Sequence, residues 1–308
     1  MFSSFSLRTA LHPLLLPGHL CIIFGMIGMG FSLQMAVSQP PGQYPWVFPY
    51  GNGSMQNPYT ISSCDQLQAM QYAPDLSYAL VKDIDCSPTA WWNEGAGFFP
   101  IGYYGVGFAG DLDGRGFTVQ HLFINRPSTD YTGVFGKIGA AGAVHDLNIS
   151  VDVHGREYVG GLAGWVVGGA VNRVHVSGRV AGHNAVGGLA GVNEGIMRYV
   201  WANAQVSGEQ WVGGIAGLSY ASSVLADTVI RGSVEGKTDV GGVTGIINGS
   251  FSGNCTIAAL VHGNEHVGWI AGKMMQHAHA INWIQLCSFL EPAASVSAIW
   301  QSVGYREL

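Results

Sequence analysis

The string HGNEH, residues 262–266, has the residue types and spacing of a catalytic metal site. It reads His-x-x-Glu-His, the inverted zinc-protease pattern, in which two histidines bind the metal and a glutamate acts as base. A zinc protease needs these residues on a helix, where the four-residue spacing brings both imidazoles to one ion. What His262, Glu265 and His266 can do therefore depends on the element that carries them.

Carboxylates near the start of the patterned region are a second candidate for chemistry. DLDGRG, Asp111 to Gly116, begins like a calcium loop but lacks the later acidic ligands, so a tight turn is expected. With Asp83 and Asp85, Asp111 and Asp113 could supply the carboxylates of a polysaccharide hydrolase or lyase. The competing interpretation is that all four lie at turns and strand ends, outside any groove.

Other signatures of catalysis are missing from the sequence. It contains no Gly-x-Ser-x-Gly elbow, no phosphate loop and no Cys-x-x-Cys pair. Only 10% of residues are charged, against about a quarter in an ordinary soluble domain. A net charge of -6 without a basic stripe argues against a nucleic-acid partner. No catalytic residue, metal or cofactor is predicted.

The N-terminus predicts a location outside the cytosol. The run from Leu20 to Val37 has no charge, and Ala36 and Ser38 fit a small-x-small cleavage site, so residues 1–38 read as a signal peptide cut after Ser38. An uncleaved membrane anchor is the alternative, because eighteen apolar residues can just span a bilayer. Either way, the later cysteines would lie in an oxidising compartment.

A repeated string organises the rest of the chain. Its copies are YTGVFG at 131, VGGLAG at 159 and 186, VGGIAG at 212, VGGVTG at 240, VGWIAG at 267 and a weaker GVGFAG at 105. Their final glycines are 26 to 28 residues apart, and a period this steady predicts a solenoid.

Each repeat also contains a segment of alternating apolar and polar residues, such as LNISVDVHG at 147–155. Period two with one apolar face predicts strands, and these follow too closely for helical crossovers. The expected fold is therefore all-β, a parallel β-helix of about seven coils stacked about 4.8 Å apart, with glycine pairs at the corners. Each of these alternating segments ends at a closing glycine: Gly155, Gly182, Gly208, Gly236 and Gly263. Alignment of the segments on these closing glycines predicts one interior column, formed by Val153, Val180, Val206, Val234 and Val261.

These strings, with PYTISSCDQLQAM, YALVKDIDCS and FAGDLDGRGFTVQHLFIN before them, resemble proteins built from the GLUG motif. Such repeats occur in bacterial surface proteins, filamentous adhesins and the non-catalytic parts of certain secreted proteases. The resemblance covers about residues 57–272. It implies a cap and first strands at 57–104, GLUG-type repeats at 105–272 and a C-terminal cap at 273–308, after a linker at 39–56.

The resemblance also implies that Cys64, on a short capping helix, pairs with Cys86 on the first strand. Such a disulfide would tie the end cap to the body and reduce the freedom of the unfolded chain. Cys255 aligns with inward positions of other coils, so a buried free thiol and a bond to Cys287 both remain open.

The alignment of the coils indicates which element carries the HGNEH string. Glu265 and His266 align with Glu157 and Tyr158 of an earlier coil, so HGNEH lies on a turn that every coil makes. A catalytic metal is not expected there. An incidental surface site, joined by His277 or His279, is the remaining metal hypothesis.

Outward aromatics and glycosylation sequons are the other candidate features. Tyr158, Tyr199, Trp201 and Trp211 could form a sugar-stacking or protein-docking strip along one side, or could simply pack. Asn-x-Ser/Thr sequons begin at Asn52, Asn148, Asn248 and Asn254.

The sequence thus predicts a secreted or surface-displayed, non-catalytic module of structural or adhesive function. Its expected partner is an extracellular protein or polysaccharide surface, or another copy of itself, with membrane contact only through an uncleaved N-terminal segment. A carbohydrate-active β-helical enzyme is the alternative, and a subunit of an extracellular filament is the third hypothesis.

Overall fold

The computed structural model describes residues 47–105, 107–275, 278–280, 287–289 and 303–306. These belong to one compact unit, Gln39–Leu308. The apolar run at 20–37 and the predicted signal peptide or anchor lie outside the described residues. Among the residues that are described, no helix has both the length and the apolar character needed to cross a bilayer.

The chain winds into a parallel β-helix, as the repeat predicted, with about six turns where about seven coils were expected. Each regular coil contributes one long strand and two short strands, and each strand pairs in parallel with its equivalent in the next coil. Three sheets result, which we call the long-strand sheet, the second sheet and the third sheet.

The strands divide among the three sheets as follows. The long-strand sheet contains β1 Tyr59–Ile61, β2 Ser77–Leu80, β3 Ile84–Asp85, β4 Asp111–Asp113, β5 Thr118–Asn125, β7 Ala143–His154, β10 Ala170–Ala181, β13 Ile196–Ser207, β16 Val224–Glu235, β19 Ser250–His262, β22 His279–Ala280 and β23 Cys287–Phe289. The second sheet contains β8 Glu157–Gly160, β11 Asn184–Gly187, β14 Gln210–Gly213, β17 Thr238–Gly241 and β20 Glu265–Gly268. The third sheet contains β6 Phe135–Ile138, β9 Ala163–Val166, β12 Ala190–Asn193, β15 Ala216–Ser219, β18 Thr244–Ile247, β21 Ala271–Met274 and β24 Val303–Arg306.

A short helix covers the N-terminal end of the stack. Helix α1 spans Cys64–Ala69, and the 3₁₀ segments Met70–Tyr72 and Ser87–Gly95 flank it. The Ser63 hydroxyl accepts a hydrogen bond from the Gln66 backbone N–H at 3.3 Å, and the Gln66 side chain accepts from the Ser62 N–H at 2.8 Å. These bonds satisfy backbone donors at the helix N-terminus, as in a capping box. Leu67 is buried beneath the helix.

Part of the segment predicted as a linker packs onto this end. Phe48 is 2% exposed, and its ring stacks on Tyr59 with centroids 4.9 Å apart. The ring of Tyr78, on β2, has its centroid 5.4 Å from that of Phe48. An open end of a β-helix is a row of unpaired strand edges, and aromatic packing with α1 shields it.

The core is built from the alternating strand residues. In β7, Leu147, Ile149, Val151 and Val153 are all buried. The predicted interior column is confirmed, because the register pairs its members one after another: Val153, Val180, Val206, Val234 and Val261. The first four are buried and Val261 is partly buried, packed against the same core.

The repeated glycines allow backbones to approach closely at the corners. In VGGLAG at 186, Val186 and Leu189 are both buried, as expected if the glycine pair bends the chain between them. The final glycine has a role that the sequence did not show. A Cβ on Gly191 would lie 2.3 Å from the carbonyl carbon of Tyr158 in the preceding coil, so any side chain there would force the coils apart.

Two disulfides connect the chain. Cys64 on α1 bonds to Cys86 just after β3, with their Cα atoms 5.3 Å apart, which confirms the predicted pair. Cys255 bonds to Cys287, and β19 and β23 place these residues directly opposite each other. Of the predicted C-terminal cap at 273–308, the described strands β22, β23 and β24 continue the long-strand and third sheets.

Candidate functional site

The HGNEH string lies on a turn between two strands, as the alignment predicted. His262 ends β19, and Glu265 begins β20. His262 is exposed, whereas the Nδ1 of His266 lies 2.8 Å from the Asp239 carboxylate of the preceding coil. An ionised carboxylate can only accept, so this nitrogen carries the proton. His266 therefore anchors Asp239, which is 5% exposed.

His266 occupies a backbone position that recurs in every coil. Six residues before or within the second-sheet strands have φ between +52° and +60°: Tyr131, Tyr158, Ala185, Trp211, Asp239 and His266. The left-handed region costs a residue with a Cβ about 1–2 kcal/mol. Because this backbone position recurs in successive coils, these six side chains lie in one column beside the third sheet. Their chemistry varies, so the position is a feature of the solenoid and not of one site.

The strongest electrostatic cluster involves the carboxylates singled out in the sequence. His145 on β7 lies between strands, with Nε2 3.3 Å from Asp111 and Nδ1 2.8 Å from Asp146. Arg173 of the next coil binds both oxygens of Asp146, through Nε and Nη2, at 2.5 and 2.7 Å. Asp113 lies 3.6 Å from His145 Nδ1.

This cluster is an ion-pair network at neutral pH. The hydrogen bond that His145 donates to the Asp111 carboxylate raises the pKa of His145 to about 9, against the opposing effect of burial. The Arg173 hydrogen bonds lower the pKa of Asp146 to about 2. Asp113, His145 and Asp146 bring ligand atoms within 4.8 Å of one another, the one such group in the described part of the chain. A metal would need the neutral imidazole and would have to displace both the proton and Arg173.

The other two carboxylates of the hypothetical hydrolase lie elsewhere. Asp85 is paired with His121 at 3.1 Å. The hydrogen bond from the Ser87 backbone N–H lowers the pKa of Asp85 most, and His121 lowers it further. Asp83 accepts a hydrogen bond from the Thr118 N–H at 2.8 Å. A glycosidase acid needs a raised carboxyl pKa, whereas the pKa of Asp85 is shifted in the opposite direction.

The predicted aromatic strip is divided between two faces, which corrects the expectation of a single strip. Tyr158 and Trp211 lie on the second sheet, whereas Tyr199 and Trp201 lie on β13 of the long-strand sheet. The Tyr158 ring packs within the protein, because it stacks on the Tyr131 ring with the two centroids 5.0 Å apart. The sequence could not separate the two faces, since the alternation of outward residues does not reveal where one sheet ends.

Tyr199 and Trp201 form a shallow pocket with residues from adjacent coils. Their exposed fractions are 51% and 48%, and the cavity has a volume of about 240 Å³. It is lined by Asn148 of β7, Arg173 and His175 of β10, and the two aromatics. The register sets His175 opposite Trp201, with their rings edge to face at 5.8 Å.

The electrostatics of this pocket favour a neutral imidazole. Burial lowers the pKa of His175, and repulsion from Arg231, two coils further along the stack, lowers it further. A neutral imidazole offers one donor and one acceptor. Aromatic faces, an amide, an imidazole and a guanidinium together can stack on a ring and hydrogen-bond its substituents. Sequence analysis missed Asn148, Arg173 and His175 as lining residues, although the closing-glycine alignment already set His175 beside Trp201.

The glycosylation sequons occupy different surroundings. Asn52 and Asn254 are exposed, Asn248 is partly buried, and Asn148 lines the aromatic pocket. The Asn148 amide nitrogen donates to the Gly116 carbonyl at 2.9 Å. Glycosylation at these positions stays a prediction, and His277, named with the hypothetical surface metal site, lies outside the described residues.

Comparisons with known proteins give partial matches. No family model matches the chain. Halomucin of Haloquadratum walsbyi is 38% identical over 125 residues, which are 37% of this chain and 1% of that protein. An Evansella cellulosilytica protein provisionally named a Gly-rich membrane protein is 33% identical over 144 residues, 46% of this chain and 16% of that protein. The matches thus span a small fraction of these curated relatives.

One solved structure shares the fold. The crystal structure of a Bacteroides ovatus protein, provisionally named an immunoglobulin A1 protease, has a TM-score of 0.56 and 21% identity. The match covers 79% of this chain and 76% of that one. At this identity, the likeness concerns the solenoid and says nothing of activity.

Proposed function

We propose that this chain is a secreted or surface-displayed, non-catalytic β-helix module that attaches to an extracellular protein or polysaccharide surface. The observation that carries the proposal is the exposed Tyr199 and Trp201 pair on the long-strand sheet. Large aromatics in a shallow pocket are typical of recognition surfaces. The GLUG-type reading of the repeats is part of this proposal, because such repeats belong to bacterial surface proteins.

The chemistry of the cysteines and the names of the relatives support an extracellular location. Disulfides persist in oxidising compartments and are rare in the cytosol, and this chain has two. One relative is named halomucin, and the other is named a Gly-rich membrane protein. A signal sequence at 1–38 would deliver the chain to such a location.

The state of the carboxylates favours binding over catalysis. Among the candidate carboxylates, Asp111 is paired with His145, and Asp85 is paired with His121. Carboxylates neutralised in this way are poor candidates for the acid and base of glycoside cleavage. The enzyme alternative stays open to assay, and no specific contact favours the filament hypothesis over the adhesive one.

Attachment of the purified full chain tests the proposal. Fluorescently labelled protein should bind cells or immobilised extracellular polysaccharide, and binding should fall about thirtyfold in Tyr199→Ala/Trp201→Ala, because each of the two lost aromatics contributes of order 1 kcal/mol. The matched control is Tyr50→Ala/Trp91→Ala, which removes aromatics that are 71% and 85% exposed outside the pocket.

Three outcomes would overturn the proposal. These are the absence of attachment to any such surface, release of sugars or peptides by the pure chain, and concentration-dependent assembly into filaments with no surface binding. Release of sugars abolished by Asp111→Asn would establish the enzyme alternative.

A further inference from the structure

The aromatic pocket lies within a basic part of an otherwise acidic protein. Strands β10 and β13 contain no aspartate or glutamate, whereas they carry Arg173, Arg179 and Arg198. The next strand, β16, adds Arg231 together with Asp227 and Glu235, so the acid-free part of this face is confined to β10 and β13. All four arginines are exposed, and they account for four of the 13 lysines and arginines in a chain of net charge -6.

The stacking of coils creates this concentration of charge. Arg173, Arg198 and Arg231 are spread over more than two repeats of the sequence, where they look isolated. The parallel register brings β10, β13 and β16 side by side, with adjacent strands about 4.8 Å apart. The arginines of these strands therefore lie on one face of the sheet. Arg231 is close enough to act electrostatically on His175 in the pocket.

A local bend directs Tyr199 outward. Tyr199 has φ of +53°, and the residue is left out of the pairing between β10 and β13. One extra outward residue results, as in a β-bulge, so Arg198 and Tyr199 are both exposed while Val200 is buried. Trp201, the next outward residue, then completes an aromatic pair with a guanidinium directly beside it.

Arg173 is fixed in place with donor capacity remaining. Its Nε and Nη2 hold Asp146, and in the described part of the chain no hydrogen bond of Nη1 to protein is present. A guanidinium has five N–H donors in a rigid fork, so a ligand carboxylate can use the remaining nitrogen. Since Asp146 also pairs with His145, its negative charge is already shared between two cations.

We propose that this pocket binds a uronic acid residue of an acidic extracellular polysaccharide, with the pyranose ring against Trp201 and Tyr199 and the carboxylate facing the arginines. The inference rests on the proposed function and adds the class of ligand. A pyranose ring presents an apolar face that packs on aromatic rings. His175 and Asn148 supply hydrogen bonds to hydroxyls, and Arg173, Arg198 and Arg231 select for negative charge.

Isothermal titration of the full chain with two hexasaccharides tests the inference. Hexagalacturonate should bind, and maltohexaose, a neutral chain of equal length, should bind at least about tenfold more weakly. Higher ionic strength should weaken only the acidic ligand. Trp201→Ala should reduce hexagalacturonate affinity about tenfold, and Trp201→Phe, which keeps a stacking face, should lose much less.

Matched variants separate the pocket from general effects. Trp91→Ala removes a tryptophan outside the pocket that is even more exposed than Trp201, 85% against 48%, and should leave affinity unchanged. Arg198→Gln should weaken hexagalacturonate but not maltohexaose, while Arg115→Gln, on the β4–β5 turn, should affect neither. Circular dichroism and melting curves confirm that each variant is folded.

Equal, salt-independent binding of both hexasaccharides would overturn the preference for uronate. If neither hexasaccharide binds, or if hexagalacturonate binding is unaffected by Trp201→Ala in a folded protein, the assignment of this pocket as the binding site is overturned. If labelled chain still attaches to cells in that case, the proposed function stands and this inference alone fails. If attachment is also absent, both fail.

Discussion

The Asp239 carboxylate depends on a single histidine of the HGNEH string. Asp239 is 5% exposed and lies 2.8 Å from His266 Nδ1. Removing the partner of a buried charged group costs about 1–3 kcal/mol. We therefore expect His266→Ala to lower the free energy of unfolding by that amount, measured by urea denaturation.

His262→Ala is the control for this prediction. His262 is exposed at the end of β19, and a surface substitution of this kind changes stability by less than about 0.5 kcal/mol. Stoichiometric zinc in the purified protein, lost in both variants, would instead show that the two histidines share a metal.

The His145 network predicts a pH-dependent contribution to stability. The pKa of His145 is raised from 6.5 to about 9. The stability that protonated His145 contributes is therefore complete below pH 6.5 and disappears as the pH rises to about 9. The pKa of Asp146 is lowered from 3.8 to about 2, so its contribution is present above pH 3.8 and is lost as the pH falls towards 2. His145→Gln should lower the melting temperature most between about pH 4 and 6.5.

A melting series across pH checks this expectation. The difference between wild type and His145→Gln should shrink between pH 6.5 and 9. Gln205→Ala, on the exposed face of β13, should show a difference that does not change with pH. A wild-type advantage that grows above pH 9 would contradict the assignment of a protonated His145.

At the scale of the strand, adjacent residues have opposite tolerances because side chains alternate between core and solvent. Val206 on β13 is 2% exposed between Val180 and Val234 of the neighbouring coils. Val206→Asp would bury a charge without a partner, and we expect insoluble or unfolded protein. Gln205→Asp, one residue away and exposed, should fold normally with stability within about 0.5 kcal/mol.

Expression and circular dichroism of the two aspartate variants decide the point. A soluble, strand-rich Val206→Asp protein would contradict the register of the long-strand sheet. An unfolded Gln205→Asp protein would show that the exposed face of β13 tolerates no new charge, against the assignment of that face to solvent.

At the scale of the whole molecule, each coil contacts mainly its neighbours, so stability depends on protected ends. The Cys64–Cys86 disulfide closes a separation of 22 residues and joins α1 to the first strands. The chain-entropy relation gives about 3 kcal/mol for a loop of this size. Cys64→Ala/Cys86→Ala should lower the free energy of unfolding by about that amount.

Hydrogen exchange shows where the loss falls. In the double variant, amides of β1 and β2 should exchange faster, whereas those of β13 in the middle of the stack should change little. Peptide mapping without reduction checks the bond itself. A free Cys64 thiol in the wild-type protein, or equal loss of protection along all coils, would contradict this role for the disulfide.

The sequence by itself determined the solenoid, its interior and one cap. The 26-to-28-residue period determined the coil, and the period-two alternation before each closing glycine predicted that Leu147, Ile149 and Val151 face inward. The position of HGNEH on a shared turn followed from the same alignment. These features are local or strictly periodic, so one chain suffices to read them.

Only the tertiary structure decided which outward side chains meet. Strict alternation back from Leu147 would turn His145 inward, but Asp146 adopts φ of +54° and inserts an extra residue, so His145 reaches Asp111 instead. A left-handed residue with a Cβ has no clear sequence signal. The same effect at Tyr199 builds the aromatic pocket, and the register between coils, invisible within one repeat, gathers the arginines around it.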